Sequence, residues 1–178
     1  MLHHGEVAPQ FSLPDADMEY FDFGSIRGKQ HAVVFFYPRD KTPLCTIEAT
    51  DFSDHESDFG KLGCIVVGVS RDDCLSHAEF RDEQGLSIRL LSDEDGEVCR
   101  KFGVSQYKQF DGHRKLCVIR STFVIDREGI VQHALYDIAP KGHAAAVFKL
   151  VKDLSFADKT NHHIARSRAH HKGSHANR

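Results

Sequence analysis

This 178-residue chain lacks sequence features that are typical of several classes of protein, and each absence argues against one class. Its five cysteines are odd in number and include no C-x-x-C pair, which argues against a secreted disulfide framework and a zinc ribbon. No apolar run approaches the roughly 20 residues that a membrane helix needs. Residues 1–6 also lack the basic-then-apolar pattern of a secretory signal. We therefore expect a cytoplasmic protein without a membrane segment.

Acidic residues are missing from the C-terminal end. None follows Asp158, and the four basic residues from Arg166 to Arg178 leave 19 basic against 26 acidic residues in the preceding chain. This acidic body, with a formal charge of about −7, is a poor partner for phosphate backbones, which need basic contacts. We predict no nucleic-acid partner.

The same end of the chain is polar and rich in histidine. Residues 159–178 are expected to be disordered, which leaves residues 1–158 as a single domain. The pairs His162–His163 and His170–His171 could hold a metal ion. Because no carboxylate or cysteine follows to fix a geometry, a solubilising tail is the favoured interpretation, and we predict no metal site and no cofactor.

Within the domain, strand and helix signals alternate. This pattern indicates a central, partly parallel sheet that helices cover on both faces, with an antiparallel hairpin at one side. The predicted strands are 32–37, 64–69, 88–91, 116–126 and 130–136. The predicted helices are 43–59, 74–84, 93–102 and 142–154.

One cysteine lies at a corner between a strand and a helix. The run from Pro38 to Cys45 follows the buried strand 32–37, and Thr42 with Pro43 forms a helix start. Cys45 then falls in the first helical turn, where unpaired N–H groups and the helix dipole favour an anion. A thiol there is expected to be partly thiolate near neutral pH and able to attack an electrophile.

The pattern Pro38-x-x-x-Thr42-x-x-Cys45 resembles the peroxidatic motif of peroxiredoxins. The stretches around it, together with the segments 68–72, 76–77, 91–93 and 120–126, resemble the PrxQ branch, also called bacterioferritin-comigratory protein, and the likeness covers about residues 5–154. It implies a thioredoxin-like α/β fold with a central mixed sheet and helices on both faces. It also implies a thiol-dependent peroxidase that reduces hydrogen peroxide and organic hydroperoxides, and a monomer or weak homodimer.

The resemblance also implies roles for residues near Cys45. Thr42 is expected to hydrogen-bond the sulfur or the peroxide, and Pro38 to shield the sulfur from water. Arg120 is predicted on the strand 116–126, on a buried face where an arginine needs a partner. That partner is either an acid such as Glu48, or the Cys45 thiolate, which a cation would stabilise. Glu48 would then position Arg120.

One residue departs from the PrxQ pattern. The position before the cysteine is usually glycine in that branch, and here it is Leu44. Leucine fits a helical first turn and places an aliphatic group beside the sulfur. We therefore hypothesise a preference for bulkier apolar hydroperoxides.

A partner sulfur is missing from the usual places. PrxQ-like enzymes often carry a resolving cysteine five residues after the peroxidatic one, here Thr50, or on the following helix, here near Arg81. The other thiols fit buried positions, where cysteine behaves as a small hydrophobe. Cys74 is the best alternative, although bridging it to Cys45 would require backbone movement.

The favoured interpretation is therefore a one-cysteine cycle. The Cys45 sulfenic acid would be reduced by an external thiol, namely thioredoxin, glutaredoxin or glutathione. The alternative is a peroxide sensor that is oxidised at Cys45 without efficient turnover. A thiol-disulfide oxidoreductase is disfavoured because the C-x-x-C pair is missing.

Overall fold

The computed structural model describes residues 1–172 of the chain and the side chains of residues 1–169. These residues form nine strands, four α-helices and a short 3-10 turn at Phe23–Ile26. The strands are β1 (Ser12–Pro14), β2 (Tyr20–Asp22), β3 (His31–Phe36), β4 (Cys64–Ser70), β5 (Arg89–Ser92), β6 (Ser105–Phe110), β7 (His113–Val118), β8 (Ser121–Ile125) and β9 (Val131–Leu135). The helices are α1 (Pro43–Lys61), α2 (Cys74–Gln84), α3 (Glu97–Lys101) and α4 (His143–Lys172).

Five strands form the central sheet, in the order β5-β4-β3-β8-β9. Strands β3, β4 and β5 run parallel, whereas β8 and β9 pair antiparallel with their neighbours. Strand β3 lies in the middle, and all six of its residues are buried, as a continuous apolar run between two covered faces requires. The prediction of a central mixed sheet is confirmed.

Two hydrophobic clusters cover the two faces of this sheet. One cluster packs α1, α2 and α4 against the sheet through residues such as Phe52, Phe80 and Val147. The other packs α3 and the N-terminal segment against the opposite face, through residues such as Val98 and Phe11. Alternate residues of β3 point to the two clusters, because side chains of a strand alternate between faces. Helices therefore lie on both faces, as expected.

The predicted strand 116–126 is wrong as a single element. The structure divides it into β7 and β8, with Ile119 and Arg120 between them. Strand β7 pairs with β6 in a separate hairpin with many exposed residues, whereas β8 joins the central sheet. Backbone bonds explain the break, because Ile119 N–H donates to the carbonyl of Val104, and the carbonyl of Arg120 accepts from Ile138.

The helix starts follow local capping signals. Thr42 has the extended backbone of an N-cap residue, and Pro43 occupies the first helical turn of α1. Asp73 caps α2 by accepting a bond from Ser76 N–H, and the predicted bounds 74–84 match that helix. The predicted helix 93–102 is shorter in the structure, because Asp93 instead caps α3 through its carboxylate.

The C-terminal segment differs from the expectation. Helix α4 continues through Lys172, whereas disorder was predicted from residue 159. The sequence has neither glycine nor proline between His143 and Lys172, and Asp158 lies 3.0 Å from His31 of β3. Polar composition alone therefore misled the prediction, since polar and basic residues also form helices readily. The pair His170–His171, which the sequence disfavours as a metal site, and the segment 173–178 lie outside the residues whose side chains are described.

No helix within residues 1–172 combines the length and apolarity that crossing a bilayer requires. The longest, α4, carries charged residues along most of its length. This agrees with the composition, which contains no long apolar run.

Candidate active site

Cys45 lies in the first turn of α1, at the carboxyl end of β3. Its side chain is buried, with 1% of the residue exposed. The N–H of Thr46 already bonds to the carbonyl of Thr42, so the N–H groups of Leu44 and Cys45 precede the regular helical bonds. Free N–H groups at a helix start stabilise negative charge, which suits a thiolate and a departing oxyanion.

Arg120 links this sulfur to a buried carboxylate. Its Nη2 lies 3.2 Å from Cys45 Sγ, and its Nη1 donates to Glu48 Oε1 at 2.9 Å. The guanidinium side chain is 11% exposed. Both partners that the sequence allowed for Arg120 are therefore present together, although the arginine reaches them from the break between β7 and β8 and not from within a strand.

Glu48 is a buried acid of the site with a raised pKa. Its side chain is fully buried one helical turn after Cys45, and burial raises its pKa to about 7, although Arg120 acts in the opposite direction. Its second oxygen, Oε2, has no hydrogen-bond partner among the described residues. Glu48 and the Cys45 sulfur thus share a single cation, so negative charge on either disfavours negative charge on the other.

Thr42 and Pro38 lie on the loop between β3 and α1 that leads to Cys45. The Thr42 hydroxyl donates to the carbonyl of Arg39 at 2.9 Å, whereas the sequence suggested a bond to the sulfur or to the peroxide. With its proton engaged, the hydroxyl oxygen is available as an acceptor. Pro38 is exposed and lines the cavity beside Leu44.

A cavity of about 510 Å³ opens beside Arg120. Leu44 is 55% exposed and Ile47 44% exposed on its α1 side. Its lining is mainly aliphatic, while Lys108 and Lys141 add positive charge and Asp137 adds negative charge. The cavity is lined by Pro38, Leu44, Ile47, Gln106, Lys108, Val118, Ile119, Arg120, Asp137, Ile138, Ala139, Pro140 and Lys141. It can accept an apolar group attached to a small polar head near Arg120, the lining residue that contacts the sulfur.

Most of the remaining thiols lie in sheltered places. Burial raises the pKa of Cys64 to about 12, and it raises the pKa of Cys99 as well. The pKa of Cys74 is also raised by burial. Cys117 lies half-buried on β7. The first three are thereby held as neutral thiols near pH 7. Cys64 and Cys99 are buried, in keeping with a packing role, whereas Cys74 is only half-buried.

Sequence reasoning gave no role to a polar cluster behind the loop that carries Pro38 and Thr42. Tyr37, Asp40 and His77 are buried together there. The available signal was a histidine at helical spacing from Phe80, on the apolar face of α2. The sequence also gave no role to residues 105–110, whose strand β6 supplies two cavity residues.

A buried cysteine in contact with a cation, at the helix start that follows the central strand of a thioredoxin-like sheet, defines the class of thiol-dependent peroxidases. Comparisons agree with this class. Residues 4–134 match the AhpC/TSA family. A Mycobacterium tuberculosis protein named as a peroxiredoxin is 45% identical to this chain over 154 residues, which cover 86% of this chain and 96% of that protein.

Two further relatives indicate the branch of the family to which the chain belongs. Peroxiredoxin Bcp of Escherichia coli is 36% identical over 152 residues, covering 85% of this chain and 97% of that one. A Xanthomonas campestris bacterioferritin comigratory protein structure, described with alkyl peroxide reduction activity, has a TM-score of 0.77 and 35% identity over 82% of this chain and 92% of that one. The chain belongs to the AhpC/TSA family and to its PrxQ/Bcp-type peroxiredoxins, as the motif around Cys45 indicated.

Proposed function

We propose that Cys45 is the peroxidatic cysteine of an enzyme that reduces hydrogen peroxide and organic hydroperoxides, and that an external thiol regenerates it in a one-cysteine cycle. The observation that carries this proposal is the contact of Arg120 with Cys45 Sγ at 3.2 Å. A cation so placed stabilises the thiolate and the oxygen that leaves it.

The reaction begins when the thiolate attacks one oxygen of the hydroperoxide. A sulfur–oxygen bond forms, the oxygen–oxygen bond breaks, and the sulfur is oxidised to sulfenic acid. The other oxygen leaves as hydroxide or alkoxide and takes a proton from the surrounding water. Arg120 and the N–H groups at the start of α1 stabilise that leaving charge, while the Thr42 oxygen accepts from the peroxide hydroxyl.

Two external thiols complete the cycle. The first attacks the sulfenic sulfur and releases water, forming a mixed disulfide with Cys45. The second attacks the mixed disulfide and releases the Cys45 thiol. One hydroperoxide and two thiols thus yield an alcohol or water, a further water and a disulfide. Thioredoxin, glutaredoxin and glutathione are the candidate reductants, and Cys74 is the reserve candidate for a resolving thiol.

The aliphatic lining near Leu44 and Ile47 supports organic hydroperoxides as substrates. An alkyl or aryl group would cover the exposed Leu44 side chain while its peroxide end reaches Cys45 and Arg120. Burial of apolar area favours such a substrate by about 25 cal/mol per Å². The cavity beside Arg120 is therefore suited to substrates larger than hydrogen peroxide.

The test is a peroxidase assay with hydrogen peroxide and cumene hydroperoxide, run separately with thioredoxin, glutaredoxin and glutathione. We expect steady peroxide consumption with at least one donor, and none in Cys45→Ser. A single turnover per protein with every donor would favour the sensor alternative instead. Mass spectrometry of the peroxide-treated protein is expected to show no Cys45–Cys74 linked peptide; finding one would replace the one-cysteine cycle. The predicted monomer or weak homodimer is measured by sedimentation velocity.

A further inference from the structure

The loop between β3 and α1 has two buried residues, Tyr37 and Asp40, and only Asp40 is charged, whereas its neighbours Arg39 and Lys41 are exposed. This loop carries Pro38 and Thr42 and leads into the turn that holds Cys45. Asp40 touches neither the sulfur nor the cavity beside it. Its burial therefore calls for a different explanation.

Asp40 is held at every polar atom on its side chain. Its Oδ1 accepts the hydroxyl of Tyr37 at 2.6 Å, and its Oδ2 lies 2.7 Å from His77 Nδ1 and accepts the hydroxyl of Ser76 at 2.9 Å. Its backbone N–H donates to the carboxylate of Asp72 at 2.9 Å. Asp40 is thus tied to Tyr37, the residue that follows β3, to the segment before α2 and to α2 itself.

The second ring nitrogen of His77 fixes the proton count. Its Nε2 lies 3.0 Å from the carbonyl oxygen of Leu91 on β5, and a carbonyl can only accept, so Nε2 carries a proton. Nδ1 lies 2.7 Å from the Asp40 carboxylate and 3.4 Å from the Tyr37 hydroxyl, which is the donor to Asp40 Oδ1. The shorter contact, with the carboxylate, needs a second proton to bridge the two. The side chains of His77 and Asp40 are 0% and 1% exposed, so this bridging proton is shut away from water.

We propose that His77, held as an imidazolium between Asp40 and Leu91, is a positioning residue for the peroxidase reaction: it fixes Asp40, and Asp40 fixes the loop that places Pro38, Thr42 and the first turn of α1. This inference rests on the proposed function of Cys45. It adds residues that make no contact with the reacting atoms.

The backbone of the loop supports this role. Lys41, the residue after Asp40, has a φ of 66°, a left-handed conformation that non-glycine residues adopt only where the surroundings enforce it. Lys41 also bonds to Glu79 of α2, but that pair is exposed and adds little. A buried ion pair is a poor source of stability because both charges lose water. We therefore attribute the burial of the Asp40–His77 pair to its role in holding the loop in one geometry.

The groups that face the pair can hold its charge state. Burial, and next the Asp40 charge, raise the pKa of Tyr37 well above its usual value, so Tyr37 remains a phenol that donates to Asp40. Asp72 is the other carboxylate nearby, and its Oδ2 accepts from Ser70 and from Asp40 N–H. Asp40, Asp72 and His77 lie close enough to hold a metal ion, but these hydrogen bonds already account for the facing atoms.

Four variants separate the hydrogen bonds from mere packing. Asp40→Asn is a neutral replica, because its amide can accept from Tyr37 and donate to the Nδ1 of a neutral His77. Asp40→Ala and His77→Phe cannot restore the bridge. The matched control is His31→Phe, which replaces the buried histidine at the other end of β3. Circular dichroism sets a temperature at which every variant is folded.

The first readout is the second-order rate constant for Cys45 oxidation by peroxide, from rapid quench with dimedone and mass spectrometry. We expect Asp40→Ala and His77→Phe to fall about 10- to 100-fold, as misplacement of reacting groups by about 1 Å does. For Asp40→Asn and His31→Phe we expect rate constants within about threefold of the wild-type value. Such a change corresponds to less than about 1.4 kcal/mol in the activation free energy, which would be roughly tenfold. Wild-type rates in Asp40→Ala and His77→Phe, or equal losses in Asp40→Ala and Asp40→Asn, would overturn the proposal.

One further readout would not respond to a purely structural role. Nitrogen NMR of labelled protein at pH 7 should show both ring nitrogens of His77 protonated; a deprotonated Nδ1 refutes the assignment. If peroxide fails to oxidise wild-type Cys45, the proposed function falls, while the NMR result still decides the state of His77.

Discussion

Each end of the central strand β3 places a buried histidine against an aspartate. Near the carboxyl end, His77 and Asp40 are both buried, and each of their polar atoms has a directed partner. At the amino end, His31 lies 3.0 Å from an Asp158 side chain that is 48% exposed, and neither ring nitrogen makes a well-directed hydrogen bond within the described residues. Directed hydrogen bonds fix the geometry of the first pair, whereas the two side chains of the second pair lie close together without such bonds.

The cavities at the two ends show the same contrast. The amino-end cavity measures about 730 Å³ and is lined mainly by polar and charged side chains such as Arg127 and Lys159, whereas the cavity beside Arg120 measures about 510 Å³. The smaller one is lined by Arg120, whose guanidinium contacts the Cys45 sulfur. The chemistry of this fold therefore follows the convergence of Cys45, Arg120 and the start of α1, and not the size of the cavity.

The largest contrast concerns the thiols at the two ends. Cys45 lies beyond the carboxyl end of β3, and Cys64 pairs with His31 at the amino end. Cys45→Ser should lower the peroxidase rate at least about 10³-fold, because a hydroxyl near neutral pH is a far weaker nucleophile than a thiolate. Cys64→Ala should leave the steady-state rate within about twofold. Comparable losses in both variants would mean that the reaction does not depend on the Cys45 position.

The next contrast is between two arginines. Arg120→Met removes the cation from the sulfur and should lower kcat/KM by about 10²- to 10³-fold, the usual effect of removing one charge-stabilising donor. Arg127→Met removes a similar charge from the amino-end cavity and should have no effect on kcat/KM. The measurement is the rate of peroxide consumption under the same donor. If kcat/KM of Arg120→Met equalled the wild-type value, the contact between Arg120 and Cys45 would not contribute to the reaction, and Arg120 would serve only as the partner of Glu48.

These two ends also show what sequence alone could predict. The Thr42–Pro43 helix start, β3 and the bounds of α2 depend on neighbouring residues, and local patterns identified them. The break at Arg120 depends on bonds to Val104 and Ile138, which are distant in the chain. The network around Asp40 joins four separate segments, so no spacing rule could reveal it. The α4 extension was missed because polarity outweighed helix propensity.

The third contrast is an effect of pH on stability. Burial raises the pKa of Glu48 to about 7 in the folded state, above the usual value of 4.5, so the folded protein binds the extra proton. Acidification from pH 8 to pH 5 should therefore add about 2–3 kcal/mol to the free energy of unfolding. Glu48→Gln should lack that gain. Urea titrations at both pH values measure the difference between the two proteins, in which the other groups cancel; identical pH slopes would contradict the raised pKa.

A smaller contrast compares two exposed leucines in the first turns of two helices. Leu44 of α1 lines the cavity, whereas Leu75 of α2 is 66% exposed and does not. Leu44→Gly should lower the ratio of kcat/KM for cumene hydroperoxide over hydrogen peroxide about 3- to 10-fold, since a partly buried aliphatic contact contributes about 1 kcal/mol. Leu75→Gly should leave the ratio unchanged. An unchanged ratio in Leu44→Gly removes the proposed role of this residue in substrate choice.

The smallest effect is expected at the amino end, and its sign is opposite to that of Glu48. Burial lowers the pKa of His31, while Asp158 partly offsets it, so the unfolded chain binds a proton that the folded protein disfavours. Stability should therefore fall as the pH decreases through the usual histidine value of 6.5 toward the lowered pKa. His31→Phe should remove this loss and keep wild-type peroxidase activity. Urea titrations at pH 5 and pH 7.5 test it against wild type, and a pH slope equal to that of wild type would show that His31 is protonated in the folded protein as readily as in the unfolded chain.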